Sequence, residues 1–246
     1  MRTLLVSDIH YDLRKLDWVL AEAEGTDLLV VAGDLLDVAS AVPLDAQIAV
    51  ALEYLARCAA RTTTVVCSGN HDLDHRTEVG EKATRWLAEA RAAGVAVDGD
   101  SVEVGDWLVT ACAWWEGPET LARLEADLAG AARARTAARW LWAYHGPPEG
   151  PLAWTGSRFY GDPELPRLVD TFAPDVVLGG HIHQAPFVTG GAWYEQRGTT
   201  WLFNGGYQRG PVPTHTVLDL EQRTASWWSF DLADEMSWAE ATGAAQ

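Results

Sequence analysis

Short apolar runs, each closed by a polar loop, alternate along most of the chain with segments whose apolar residues recur at three and four positions. The runs at 3–7, 27–32 and 62–67 are rich in Val, Leu and Thr and read as buried strands. Between them, 14–24 and 45–60 read as helices, the second carrying Ile48, Leu52, Leu55 and Ala59 at helical spacing. A further helix is predicted over 77–93, ending at Gly94, a residue suited to the left-handed cap. Then come short strands at 95–97, 101–104 and 107–111, and a helical stretch opened by Pro118. Strands at 140–144 and 175–178 flank a helix at 163–172, and the runs at 200–203, 214–220 and 225–230 suggest a final meander. This alternation predicts an α/β fold.

The chain has 246 residues, 48% of them hydrophobic, enough for a sizeable core, and no linker, repeat or low-complexity tract divides it. A single domain over 1–246 is expected. The formal net charge of −17 disfavours a nucleic-acid partner, because affinity for such polymers comes largely from Lys and Arg. Cys58, Cys67 and Cys112 are odd in number and match neither a disulfide framework nor a zinc motif, so they read as reduced structural thiols. The opening apolar run is too short for a signal-peptide core, and no stretch approaches a membrane span. A cytoplasmic protein without a membrane partner is expected.

Chemistry enters where the strands end. Residues 3–7 run into Asp8 and His10; 27–32 into Asp34; 62–67 into Asn70, His71 and Asp72; 140–144 into His145; 175–178 into His181 and His183. In open α/β sheets ligands sit beyond the carboxyl ends of the strands, so these loops are expected to converge. Imidazole and carboxylate together suit Mn, Fe, Zn or Ni. Asp8, His10, Asp34, Asn70, His145, His181 and His183 are too many ligands for one ion and sensible for two sharing a carboxylate. Singly, each has a plain alternative: Asp8 and Asp34 as caps, Asn70 and Asp72 as turn residues, His145 as a loop histidine. Their conjunction argues otherwise, since five of the seven histidines lie in these five motifs. His75 and His215 fall outside them and read as structural.

DIH, GDLLD, GNHD, the isolated His145 and GGHIH stand in the order and approximate spacing of the calcineurin-like metallophosphoesterases, the group that includes bacterial class III phosphodiesterases; the chain resembles that family from Thr3 to about Asn204. The resemblance implies a four-layer αββα sandwich of two mixed β-sheets flanked by helices. It also implies two transition-metal ions, the first held by Asp8, His10 and His183, the second by Asn70, His145 and His181, with Asp34 bridging. A metal-bridging hydroxide would be the nucleophile, with His71 as general acid or phosphate-stabilising group and Asp72 orienting its imidazole. Asp37 is explained equally by a cap, a supporting hydrogen bond or a catalytic role. Many members show Asn-Pro-Gly where this chain has Asn204, Gly205 and Gly206.

Most of the 13 tryptophans read as packing. Trp114 and Trp115, and the segment AWTGSRFYGD at 153–162, are expected instead to wall a substrate pocket, with Arg158 meeting a phosphate oxygen and Asn70 and His71 also contacting substrate. The expected activity is hydrolysis of a small-molecule phosphodiester or phosphomonoester. The alternatives are a nucleic-acid phosphodiesterase, disfavoured by the acidic balance, and a non-catalytic interaction module, disfavoured because every ligand is retained.

Overall fold

A computed structural model describes residues 1–238. The chain runs β1 (Arg2–Val6), α1 (Leu13–Ala23), β2 (Leu28–Ala32), α2 (Leu44–Ala59) and β3 (Thr63–Cys67), then a small hairpin of β4 (His75–Arg76) and β5 (Lys82–Ala83). A 3-10 helix (Trp86–Ala93) leads to β6 (Ser101–Val104), β7 (Trp107–Ala111), α3 (Pro118–Ala134), β8 (Arg139–Ala143), α4 (Leu165–Phe172) and β9 (Val176–Gly179). Strands β10 (Tyr194–Arg197), β11 (Thr200–Asn204), β12 (His215–Asp219), β13 (Thr224–Trp228) and β14 (Ala233–Ser237) complete it.

Two six-stranded sheets result, in the orders β14-β13-β12-β1-β2-β3 and β10-β11-β9-β8-β7-β6. Strands β1, β2 and β3 pair in parallel, as do β7, β8, β9 and β11, while the flanking strands pair antiparallel. Each sheet is therefore mixed, with its parallel centre placing several strand ends at one edge.

The two-residue period of the strands builds the layers. From β1, Leu4 and Val6 pack with Leu16, Val19 and Leu20 of α1, whereas Leu5 faces the other sheet. Similarly, Trp140 and Trp142 of β8 pack toward Leu124 and Leu128 of α3, and Leu141 and Ala143 enter the layer between the sheets. Both faces of the central strands are thus covered, giving the αββα sandwich and explaining why their sequences are apolar throughout rather than alternating.

The helix expected over 77–93 does not form as one element. Thr77 and Glu81 close a turn through Gly80, whose φ is 91°, and only Trp86–Ala93 is helical, as a tight 3-10 segment ending at left-handed Gly94. Residues 95–97 make a single bridge, Val65 with Ala96, rather than a strand. Strands β10 and β14 escape a reading by apolar runs because they are edge strands with polar sequences, YEQR and ADEMS. The remaining predicted elements are present with their ends shifted by a residue or two.

Candidate active site

The loops after β1, β2, β3, β8 and β9 meet in one cleft at the edge of both sheets. Their backbones are unusual: Asp8, His10, Asp34 and His181 have φ of 54°, 49°, 55° and 73°, in the left-handed region that costs a side-chain-bearing residue energy. The turns are held by backbone hydrogen bonds from Asp8 N–H to the Gly33 carbonyl (3.0 Å) and from His10 N–H to the Asp34 carbonyl (2.9 Å). Glycine is required at 180, where a Cβ would collide with the Asp8 carboxylate and the Ser7 hydroxyl.

Among the described residues three overlapping groups of donor atoms lie close enough to share a cation: Asp8, His10 and His183; Asp34, His145 and His181; and His10, Asp34 and His71. The first has the composition expected from the sequence; the second joins His145 and His181 to Asp34, where the sequence resemblance sets Asn70 beside those two histidines and Asp34 between the ions. Asp34 stands between them, its Oδ2 being 3.9 Å from His10 Nε2 and 3.4 Å from His145 Nε2. His183 Nε2 is 3.1 Å from Asp8 Oδ1 and also 3.1 Å from His10 Nε2. Asn70 adjoins this set in the loop after β3, one residue before His71.

The donor chemistry fits a metal pair. His145 Nδ1 is 2.7 Å from the Ala32 carbonyl and donates to it, which turns Nε2 toward the cleft as the nitrogen that a cation would take in place of a proton. Among the described residues that Nε2 has no well-formed hydrogen bond, Asp34 Oδ2 standing 3.4 Å away, and Asn70 Oδ1 and His10 Nδ1 are likewise buried without partners. Buried polar atoms without partners are rare, and coordination would satisfy His145 Nε2 and Asn70 Oδ1.

Charge is organised in the same sense. Burial alone would raise the pKa of Asp8, but the hydrogen bond from His183 and the charges of His145, His183 and His10 hold the carboxyl below its ordinary value. Asp34, likewise raised by burial, is pulled down by His145. Burial lowers the pKa of His145, yet Asp34 and Asp8 bring it up to about 9. Burial and then the charge of His145 push His181 down to about 4, and burial lowers His10. The result is two carboxylates kept anionic beside imidazoles of differing basicity.

Asp72 corrects one expectation. Its carboxylate does not orient the His71 ring; it accepts N–H bonds from Asp34 (2.8 Å), Leu36 (3.0 Å) and Gly69 (2.8 Å). The turn after Gly69 aims the side chain inward, where it ties the β2 loop to the β3 loop, and burial together with the charge of Asp34 pushes its pKa up to about 7. The carboxylate beside His71 is Asp37, with Oδ1 3.7 Å from Nδ1. Nδ1 also lies 3.4 Å from the Val38 N–H, and the ring stands edge-on to His10 with centroids 4.7 Å apart. His71 N–H donates to Asp34 Oδ1 (2.8 Å), which fixes the loop that carries it.

Arg158 is the second correction. It sits on an exposed turn with its guanidinium 5.5 Å from the Tyr160 ring centre, and Tyr160, not Arg158 or Trp154, lines the neighbouring cavity with Trp114 and Trp115. The charge expected to meet phosphate is spent on stacking at the surface.

Tyr207 and Lys15 escaped the sequence reading. Tyr207 stacks on His183 with centroids 4.7 Å apart, and Lys15 Nζ lies 3.7 Å from the Tyr207 ring centre. Burial pushes the Lys15 pKa down to about 8. A tyrosine three residues beyond Asn204 was the available signal; Lys15 gave none, looking like an ordinary helix lysine. Asn204 is buried and donates to the Leu152 and Ile182 carbonyls (2.9 and 3.0 Å), anchoring the loop of His181 and His183 without the proline of the family pattern.

The model of the family described as calcineurin-like phosphoesterase matches residues 1–185. Among solved structures, TT1561 of Thermus thermophilus is similar with a TM-score of 0.61 at 18% identity, over 96% of this chain and 98% of that one. Purple acid phosphatase PPD1 from seeds of yellow lupin (Lupinus luteus) is similar with a TM-score of 0.52 at 14% identity, over 92% of this chain and 50% of that one. At these identities the likeness concerns the fold. No curated protein matches the chain.

Proposed function

The chain belongs to the calcineurin-like phosphoesterase family and is a phosphate-ester hydrolase; from that premise we propose that it hydrolyses a small-molecule phosphodiester or phosphomonoester at a pair of transition-metal ions. The observation that carries this reading is the position of Asp34, one carboxylate oxygen of which faces His10 on one side and His145 on the other. Asp8, His10 and His183 would hold one ion, Asn70, His145 and His181 the other, with Asp34 shared. When bound, such ions supply Lewis acidity and lower the pKa of water enough to yield a nucleophile at neutral pH.

The protein's own groups complete the chemistry. The cleft is built on ionised Asp8 and Asp34 in a chain of formal net charge −17, so an anionic phosphate would be repelled unless cations reverse the local sign. His71, its ring edge-on to His10 and its Nδ1 3.7 Å from Asp37 Oδ1, is placed to serve as the general acid toward a leaving oxygen. Asp37 orients that ring, and Asp72 holds the two loops that place Asp34 and His71 side by side.

The proposal is tested with a generic aryl phosphodiester and the matching monoester, in the presence of Mn, using the wild type and Asp34→Ala and His183→Ala variants. Hydrolysis by the wild type that is lost in both variants supports the metal-centred mechanism. A protein that binds two metals and hydrolyses neither ester would sink it.

A further inference from the structure

We propose that the cavity between Trp114, Trp115 and Tyr160 is a slot for the organic group of the substrate, and that this group is aromatic and planar, and either uncharged or cationic. This deepens the phosphoester reading and rests on it.

The cavity has a volume of about 300 Å³ and opens on His181, so a phosphate at the proposed metal pair would present its ester arm to the slot. Trp114 forms the wall next to the metals: its ring centre lies 5.1 Å from that of His181 and 5.6 Å from that of His145. Both ends of this residue are held. Its backbone N–H donates to Ser68 Oγ (2.9 Å) and its indole N–H to Glu116 Oε1 (2.9 Å). Trp115 is held as firmly, its indole N–H shared between Asp162 Oδ2 (2.9 Å) and the Tyr144 hydroxyl (3.1 Å). With these polar atoms already paired inside the protein, what remains for a ligand is ring face, which recognises planar groups.

The floor is backbone. A Cβ at Gly146 would lie 3.4 Å from both the Trp114 ring and Asp162, so a larger residue there would fill the slot.

Charge selects further. Asp162 is saturated: besides Trp115 it accepts from the Tyr144 hydroxyl (2.6 Å) and from the Glu164 and Leu165 N–H groups (2.7 and 3.1 Å) at the start of α4. Glu116 is different, since Oε1 holds Trp114 and Oε2 has no partner among the described residues. Among the described residues, no Lys or Arg lines the cavity, and Arg158 stacks on the Tyr160 ring without lining the slot. A second anionic group on the ester arm would therefore meet an uncompensated carboxylate, whereas an N–H or an ammonium would find an acceptor.

Binding to the Mn-loaded full-length protein, read by calorimetry, tests the slot apart from turnover. The probes are methylphosphonate, phenylphosphonate, 4-carboxyphenylphosphonate and 4-(aminomethyl)phenylphosphonate. Phenylphosphonate is expected to bind at least about tenfold more tightly than methylphosphonate, the scale of one aromatic stacking contact. The carboxyl substituent should cancel that gain and the aminomethyl substituent keep it. Tyr160→Ala should shrink the phenyl-to-methyl ratio toward one while leaving methylphosphonate affinity in place, Trp114→Ala should shrink the same ratio, and Glu116→Gln should relieve the penalty on the carboxyl probe. Tyr160 and Glu116 are at the surface, so those two variants keep the test intact should Trp114→Ala fail to fold. Equal affinity for phenyl- and methylphosphonate overturns the slot and leaves the phosphoester reading standing. Tighter binding of the carboxyl probe overturns the charge selection, and failure of every phosphonate to bind the metal-loaded protein overturns the phosphoester reading and the slot with it.

Discussion

The His71 imidazole faces Asp37, with Nδ1 3.7 Å from Oδ1, while the adjacent Asp72 points away from it into the protein. Two carboxylates that look alike in the sequence thus have separate tasks. Asp37→Asn keeps the Oδ1 that accepts from the Ala39 N–H (2.8 Å) but removes the charge beside the ring. Loss of such an orienting partner is expected to lower kcat for an aryl phosphodiester about tenfold with KM and melting temperature little changed. An unaltered kcat would remove Asp37 from the mechanism.

Asp72→Ala should behave in the opposite way. It strands three buried N–H donors, on Asp34, Leu36 and Gly69, and its cost should appear in urea denaturation as about 3 kcal/mol of lost stability. A variant as stable as the wild type would show that the two loops are held by other means.

Chelation supplies a third expectation. Extraction of metal should abolish ester hydrolysis and lower the melting temperature, since bound ions stabilise only the folded arrangement of the Asp8, Asp34 and histidine donors, and added Mn should restore both. Elemental analysis should find two ions per wild-type chain and fewer in Asp34→Ala. Equal metal content in the two proteins would exclude Asp34 as the shared ligand.

Asp98, which accepts from the Ser68 N–H just after β3, makes a pH signature. Burial pushes its pKa up to about 6 although Ser68, Arg91 and Arg123 pull it down. A carboxyl whose folded pKa exceeds its unfolded value of 3.8 binds more protons folded, so its contribution is intact below that value and is lost as pH rises toward 6. Asp98→Asn retains an oxygen for the Ser68 N–H, bonded at 2.8 Å, and cannot ionise. Relative to the wild type it should gain about 2 kcal/mol between pH 4 and 6 and nothing further above that. Parallel stability curves for the two proteins would contradict the assignment.

The paired tryptophans of β8 are buried alike, but the indole N–H of Trp140 donates to Thr110 Oγ1 (2.9 Å) whereas that of Trp142 has no partner among the described residues. Both Phe variants lose similar apolar area, yet Trp140→Phe also breaks a buried hydrogen bond, leaving Thr110 Oγ1 with Ser101 Oγ (2.8 Å), and Trp142→Phe removes an unmet donor. Trp140→Phe should therefore be the more destabilising by about 1 kcal/mol in urea titrations. The reverse order would mean that the Trp142 N–H is satisfied in solution.

Local pattern was enough for the central strands, for α1, α2, α3 and α4, and for which loops carry candidate ligands, because apolar runs and strand-end polar residues are properties of neighbours in the chain. The layer assignment follows from the two-residue period once both sheet faces are known to be covered. The 77–93 segment and the edge strands β10 and β14 were not legible, since a turn at Gly80 and pairing to a neighbouring strand overrode local apolar spacing. Within the site, residue types announced themselves but their partners did not. His10 and His183 come within 3.1 Å across 173 positions of sequence, and Lys15 reaches Tyr207 from another element altogether. The order of residues is sufficient for the inventory of donors and for the scaffold that gathers them. Folding in three dimensions settles which carboxylate serves His71, that Asp72 fastens loops, and that Trp114 with Trp115 leaves a slot beside His181, because side-chain direction depends on backbone turns and long-range hydrogen bonds that no local pattern encodes.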